Sequence, residues 1–453
     1  MGKTFRAYDM NQQLLLPPDL RQWLRPDHLA LYVSDLVESL DLSGILKVYE
    51  EGDGRGRPPY HPALMVKLLV YGYCTGKMSS RKLEQATYDD VAFRVLSCNQ
   101  QPDHDSIAGF RQRHLQELGR LFVQVLQLCA RAGLVKLGHV AIDGTKIKAN
   151  ASKYKSLSYE RMKDAEQELA AEVARLLVEA QRIDEAEDDL YGPGKRGDEL
   201  PAELRDRETR LAKIRALKAE LEEEAKAAAA QKLAEKEKPA ADRSRKWRRK
   251  WEVSEAGEIL PLPKSKRNLT DPDSRIMKDG ATKTFHQAYN LQVGVDAQAQ
   301  IIVATKVVQT GADQEQLIPL LRELEKNLRR MPERVSADAG YYSKAALTHE
   351  AVRGVDLHVP PNQRQPVRCA ENLPPDATLQ ERMWHKLGSP AGREVFSKRK
   401  VIVEPVFAQV KHIRGFRQFL LRGLQQVEAE WLLVCMTHNL LKLFRATKQL
   451  QMA

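Results

Sequence analysis

Two stretches, His139-Val140-Ala141-Ile142-Asp143-Gly144 and Arg334-Val335-Ser336-Ala337-Asp338-Ala339-Gly340, share one plan. A short apolar run of strand-forming residues ends on an aspartate, with glycine close behind. A third stretch, Val403-Glu404-Pro405-Val406-Phe407-Ala408-Gln409-Val410-Lys411, has the spacing of an amphipathic helix. Glu404, Ala408 and Lys411 fall on one face, Val403, Val406, Val410 and Ile413 form an apolar stripe, and Pro405 in a first turn sets the start. Two aspartates at strand ends and one glutamate on a helix can converge to hold two hard divalent cations through oxygen. Such ions activate a water or a 3′ hydroxyl and stabilise the leaving oxygen of a phosphodiester. Each acid also has a plain reading: an Asp before Gly commonly caps a turn with its side chain, and a surface glutamate is simply solvated. Asp296, ending Val293-Gly294-Val295-Asp296, is a rival; Asp143 is preferred because Lys146 and Lys148 follow it and suit phosphates.

Working outward, the chain divides by pattern. Residues 1–135 read as a helical N-terminal DNA-binding domain with a helix-turn-helix-like bundle. Its helices start at Pro62 and at Ser80, and a third follows Asp103-His104-Asp105-Ser106 and runs through Phe110, Leu115, Leu118, Leu121 and Val125. Residues 136–156 and 284–423 form an α/β domain with a mixed sheet. Its strands are 137–150, 288–296, 301–308, the Asp338 run and Val355–Val359; its helices are Asp313–Leu328, Ser343–Val352 and 404–421. Residues 360–392 are expected to be irregular. Residues 157–250 form an inserted helical hairpin with heptad-spaced Met162, Leu169, Val173, Leu176, Ala180, Ile183, Leu204, Leu211, Ile214, Leu217 and Leu221, followed by a basic linker from Lys232 to Arg249. A C-terminal helix occupies 424–453.

Charge supports a polyanionic partner: the 453 residues carry a net +11 and a pI near 9.2. No uninterrupted apolar run is long enough for a membrane span, and the N-terminus lacks a signal-peptide core. Five scattered cysteines without a C-x-x-C pair point to the reducing cytoplasm and away from disulfides or zinc. No phosphate-binding Walker loop occurs, so ATP-driven chemistry is not indicated. Arg55-Gly56-Arg57-Pro58 suits entry of two arginines into a narrow minor groove, or a tight turn. Arg243-Ser-Arg-Lys-Trp-Arg-Arg-Lys-Trp251 suits a nucleic-acid strand by phosphate contact and stacking, or a solvated linker. The 103–106 cluster reads as a helix start at Asp105 or Ser106 rather than as metal ligands.

These residues resemble the bacterial insertion-sequence transposases of the DDE class. The matching pieces are Ala141–Ser152, Thr270–Met277 with Ala288–Gln292, Ala337–Tyr341, and Val403–Lys411 with Arg414–Gly423; Tyr60–His114 resembles their helical N-terminal domain. The resemblance implies an RNase H-like core and a catalytic, metal-binding triad of Asp143, Asp338 and Glu404 holding two Mg²⁺, with Mn²⁺ able to substitute. It implies binding of double-stranded DNA at element terminal repeats and at targets, nicking to a 3′ hydroxyl, and strand transfer by that hydroxyl. It further implies a homodimer or higher synaptic complex, no membrane, and a bacterial cytoplasmic, nucleoid-associated setting. Lys146, Lys411, Arg414 and Arg417 are candidates for phosphate positioning, with Arg55 and Arg57 as further DNA contacts. Two departures stand out. Where this branch commonly places a tyrosine and an arginine before the glutamate, the chain has Phe396, Lys398, Arg399 and Lys400; Cys369 is isolated, so no zinc site is carried over. An RNase H-like nuclease without strand transfer, and an inactive transposase-derived DNA-binding scaffold, stay open as alternatives.

Overall fold

In a computed structural model of the protein, residues 19–50, 58–191, 202–237, 251–255, 257–280, 282–361 and 373–452 are described. The N-terminal helices are α1 (Leu29–Ser39), α2 (Ser43–Glu50), α3 (Pro62–Thr75), α4 (Ser80–Asp89), α5 (Val91–Leu96), α6 (His104–Arg113) and α7 (Leu115–Arg131). Local chemistry sets their starts: His61 caps α3 with Pro62 at its first position, and Ser79 caps α4. The 103–106 cluster is a helix start, with Asp103 itself accepting from the Ser106 amide. The single helix expected after it is two, broken at His114, whose buried ring stacks on Tyr49 and packs on Phe110.

The main sheet comprises β1 (His139–Lys148), β6 (Arg275–Lys278), β7 (Phe285–Asp296), β8 (Ile301–Val308), β9 (Arg334–Ser336) and β10 (Asp356–His358), while β2 (Ser156–Ser158) with β5 (Lys266–Asn268) and β3 (Trp251–Val253) with β4 (Ile259–Pro261) form two separate small pairs. The order is β10-β9-β1-β7-β6, with β8 also on β7. β1, β9 and β10 are parallel; β6, β7 and β8 join antiparallel. β7 is buried from Gln287 to Asp296, as a central strand covered on both faces must be. This mixed α/β arrangement beside a helical N-terminal region is an RNase H-like core.

Between β2 and β3 stand α8 (Tyr159–Tyr191) and α9 (Ala202–Glu237). They bury their own small clusters: Tyr159, Met162, Ile214, Leu217 and Leu221, and further out Val173 with Leu211. Glu166 bridges to Arg215 and Lys218 across the pair. Met162, Leu169, Val173, Leu176, Leu211, Ile214, Leu217 and Leu221 therefore do form a hairpin seam, while the side chains of Ala180, Ile183 and Leu204 lie outside the described residues. α9 extends to Glu237, past the expected linker start at Lys232, and 238–250 lie outside the described residues. Trp251 is buried beneath Lys232 in β3, so its indole is not free to stack on a base.

After β8 come α10 (Leu317–Leu328) and a single turn, α11 (Lys344–Leu347). The region expected to be irregular holds α12 (Leu379–Gly388), opened by a Thr378/Glu381 capping box, while 362–372 lie outside the described residues. α13 (Pro390–Ala408) then carries Glu404 near its far end. Pro405 is thus inside a helix and does not start one. Proline leaves the carbonyl four residues back without an intrahelical donor. Here the Gln300 side chain donates to Val401 O at 3.0 Å and removes that penalty. A π-helical turn, Gln409–Ile413, follows, and Arg414–Gly423 is non-helical where a helix to 421 was expected. Instead, residues 417–420 lie alongside the end of β1, with Phe419 N donating to Lys148 O at 2.9 Å and Asn150 Nδ2 to Leu420 O at 2.8 Å.

The last helix, α14 (Leu424–Met452), fastens the N-terminal helices to the sheet. Asn439 brackets Ile302 through both its N–H and C=O at 2.9 Å, and buried Glu430 accepts from Tyr73 of α3 at 2.8 Å. One continuous apolar core accordingly runs from α1 through the sheet to α14.

Candidate active site

Asp143 stands mid-strand in β1, where its parallel neighbour gives out. β9 pairs with β1 only over His139–Ala141, so Asp143 lies just past the last rung. Directly after β9, Asp338 opens the turn Ala339–Tyr341, its Oδ1 accepting from Gly340 N at 2.9 Å. The two aspartates are neighbours: burial raises the Asp143 pKa, Arg399 and the Gly144 amide pull it back, and the Asp338 charge pushes it up again. The net direction is upward. Asp143 Oδ1 accepts from Gly144 N and Oδ2 from Arg399 Nη1, both at 2.8 Å.

A third carboxylate, Asp313, sits in the loop before α10. Its Oδ1 accepts from Asn290 Nδ2 at 2.8 Å and Gln292 Nε2 at 2.7 Å. The Gln292 carbonyl oxygen in turn accepts from the buried Tyr341 hydroxyl. Burial raises the Tyr341 pKa well beyond the ordinary phenol, and the charges of Asp313, Asp143 and Asp338 add to it. This crowding explains the glycine after Asp143. A Cβ at Gly144 would lie 2.7 Å from Gln292 Nε2 and 3.0 Å from Asp313 Oδ1. The helix once expected to begin at Asp313 starts at Leu317, which frees Asp313 for this role.

Glu404 lies on α13, the helix that also carries Arg399. α13 turns Arg399, Ile402, Val403 and Val406 inward, and five residues beyond Arg399 the helical rotation leaves Glu404 exposed. Among the described residues no three acid, histidine or cysteine side chains form a ready-made ion cage. The stripe Val403, Val406 and Val410 is buried as expected, but Ile413, at the end of the π turn, is 77% exposed. Lys411 is folded back on β1, bonding Thr145 Oγ1 and, at 3.1 Å, Lys146 O. Lys146 reaches Lys278 O at 3.0 Å, and Arg417 is exposed beside His412.

Arg414, expected at a DNA surface, is turned into the protein. It is 5% exposed and donates to Val434 O and, at 2.7 Å, to Thr437 Oγ1, with burial lowering its pKa to about 10. Its guanidinium fixes the path from the π turn to α14. Arg55 and Arg57 lie outside the described residues. The rival Asp296 is spent on turn amides, accepting from Leu137 N at 2.7 Å and Gln298 N at 2.9 Å. Asp271 and Asp273, in the Thr270–Met277 stretch, are likewise structural, accepting from Gly423 N and Leu424 N where α14 begins. Two site residues were not legible beforehand. Arg399 was one cation among three in a row, and Gln292 looked like any polar position in a strand.

The oxygen donors suit a hard divalent ion. Asp143 and Asp338 place two carboxylates side by side in a partly buried setting, where like charges require a cation, and a guanidinium already supplies one.

An RNase H-like sheet presenting clustered aspartates defines a nuclease-like enzyme. Two family models match the chain: "Transposase domain (DUF772)" over residues 18–113 and "Transposase DDE domain" over residues 259–440. No match was found among curated proteins or among solved structures. The protein belongs to the insertion-sequence DDE transposases. The DDE match contains Asp338 and Glu404 but begins after the hairpin, leaving Asp143 on the far side of the insertion.

Proposed function

We propose that this transposase binds the ends of its element as duplex DNA, nicks them, and joins the resulting 3′ hydroxyl to target DNA at one site. The observation that carries this reading is the meeting of Asp143 and Asp338 where β9 ends beside β1. Asp143, Asp338 and Glu404 would hold two Mg²⁺, or Mn²⁺ in their place. When bound, such ions supply an activated oxygen nucleophile and stabilisation of the leaving oxygen. Because hydroxyl and phosphodiester exchange one ester for another, joining requires no nucleotide hydrolysis.

The chain's own part is to seat the backbone. Residues 144–158 and 405–423 contain no acidic residue, yet they carry Lys146, Lys148, Lys153, Lys155, Lys411, Arg414, Arg417 and Arg422. These segments run side by side next to Asp143, and all but the buried Arg414 can contribute to a positive track. Tyr154, 85% exposed, stands in the same track. The fold of α8 and α9 apart from the main core supports a role for the hairpin in assembly of a dimer or larger end complex. A paired-end DNA assay tests the reading: wild type should yield nicked and joined products with Mg²⁺ or Mn²⁺. Cleavage without joining would reduce the protein to a nuclease, and ion-independent binding with no cleavage would reduce it to a scaffold.

A further inference from the structure

Arg399 does more at Asp143 than a surface charge would. Its Nη1 lies 2.8 Å from Asp143 Oδ2, and the two side chains are 10% and 21% exposed. Its Nε is buried without an acceptor, and its guanidinium stands 5.9 Å from the centre of the Phe396 ring. The side chain therefore directs one donor at a carboxylate and leaves another unsatisfied, which is costly in a protein interior. A planar guanidinium with a donor to spare is better matched to the forked oxygens of a phosphate.

We propose that Arg399 is a stand-in cation, which occupies Asp143 in the free protein, opposes divalent-ion binding there, and exchanges Asp143 for a backbone phosphate when DNA is seated. This rests on the reading of Asp143 as an ion ligand. A guanidinium and a divalent ion cannot share one small carboxylate pocket without repelling each other. Removal of the guanidinium leaves Asp143 and Asp338 facing each other without a counter-charge, a stronger site for an added ion. DNA would draw the same group away. Ion and DNA binding then become coupled, each tightening the other by one common factor, as linkage requires. Away from DNA, the cutting site stays closed to its own ion.

The test uses the full chain, Mn²⁺ alone as probe, and a plain 20-base-pair duplex at low salt, with free Mn²⁺ followed by electron paramagnetic resonance. Without DNA, Arg399→Gln should bind Mn²⁺ about tenfold more tightly than wild type. The duplex should tighten Mn²⁺ binding by wild type by a similar factor and leave Arg399→Gln unmoved. Arg399→Lys keeps a charge without the fork and should fall between the two; it carries the test if the glutamine variant does not fold. Equal or weaker Mn²⁺ binding by the Arg399 variants, with binding lost in Asp143→Asn, overturns the exchange while leaving Asp143 a ligand. Wild-type Mn²⁺ binding by Asp143→Asn overturns both.

Discussion

Asp143 and Asp338 are carried by adjacent parallel strands, whereas Glu404 rides near the end of a helix that lies over them. The strand-borne pair is placed by backbone register: once Ala141 pairs with Ser336, the next residues of both strands must emerge together. Glu404 is placed instead by a helical segment that Arg399 ties to Asp143 on one side and Lys411 ties to Thr145 on the other. Its azimuth depends on helical rotation through an internal proline and into a π turn, a form of backbone that recurs at functional sites. The sheet thus fixes the aspartate pair, while Glu404 follows the helix that carries it. A sheet delivers rigid positions at low cost, while the end of a helix can shift without breaking the core.

The sharpest way to break this contrast is Asp338→Asn, which removes an oxygen charge and keeps the shape. Cleavage should fall about a thousandfold, several kcal/mol of lost charge stabilisation at the site, while DNA binding survives with its steep salt dependence. Normal cutting and joining by this variant would require redrawing the acids, with Asp313 next in line.

A second experiment separates the halves by stability. Asp143→Asn removes a carboxylate whose ionised form burial penalises by more than Arg399 returns, and should raise the unfolding free energy at neutral pH. Glu404→Gln should stay within about 0.5 kcal/mol of wild type, because Glu404 is exposed. Glu404→Gln should nevertheless cut as poorly as Asp338→Asn. Urea titrations of both variants check the pair, and a large loss in Glu404→Gln would show that the glutamate is already engaged.

Mild acid should act on the aspartate half. His139 opens β1 with its Nε2 2.8 Å from Ser336 Oγ of β9, and burial, with His358, Arg334 and Lys398 nearby, pushes its pKa from 6.5 down to about 4. Between those values the unfolded chain binds a proton that the folded chain refuses, so stability falls as pH drops through that window. His139→Gln should reduce the slope of stability against pH by about one proton there. Glu404→Gln should leave it unchanged.

The smallest effect belongs to the hairpin. Replacing 162–222 by a short Gly/Ser turn removes clusters separate from the main core, so the sheet should keep its melting temperature and cut isolated ends at the wild-type rate. Loss of folded protein would instead make α8 and α9 part of the core.

Much of this was legible in advance wherever a local pattern decides the outcome. Apolar runs ending on Asp143 and Asp338 gave strands, heptad spacing gave the α8–α9 seam, and the 103–106 cluster gave a helix start, which falls at His104 rather than at Asp105 or Ser106. Reading failed where a local signal was overruled from a distance. Pro405 looked like a helix start because proline usually is one, but Gln300, about a hundred residues away, satisfies the carbonyl that Pro405 leaves bare. Residues 414–421 looked helical, yet backbone bonds of Arg417 and Phe419 with Lys148 lay this stretch alongside β1 instead. Arg414 looked like a phosphate contact, and the arrival of α14 buried it.

By itself, then, the order of residues determined the kinds of element, the acids worth watching, and a basic balance suited to DNA, since propensity, periodicity and charge are local or additive properties. The tertiary structure alone decided that Asp143 and Asp338 meet, that Arg399 holds Asp143, that Asn290 and Gln292 hold Asp313 beside Gly144, and that Glu404 falls on an exposed face of α13. Those outcomes depend on strand register, helix rotation and burial, which arise only when segments far apart in the chain exclude water from one another.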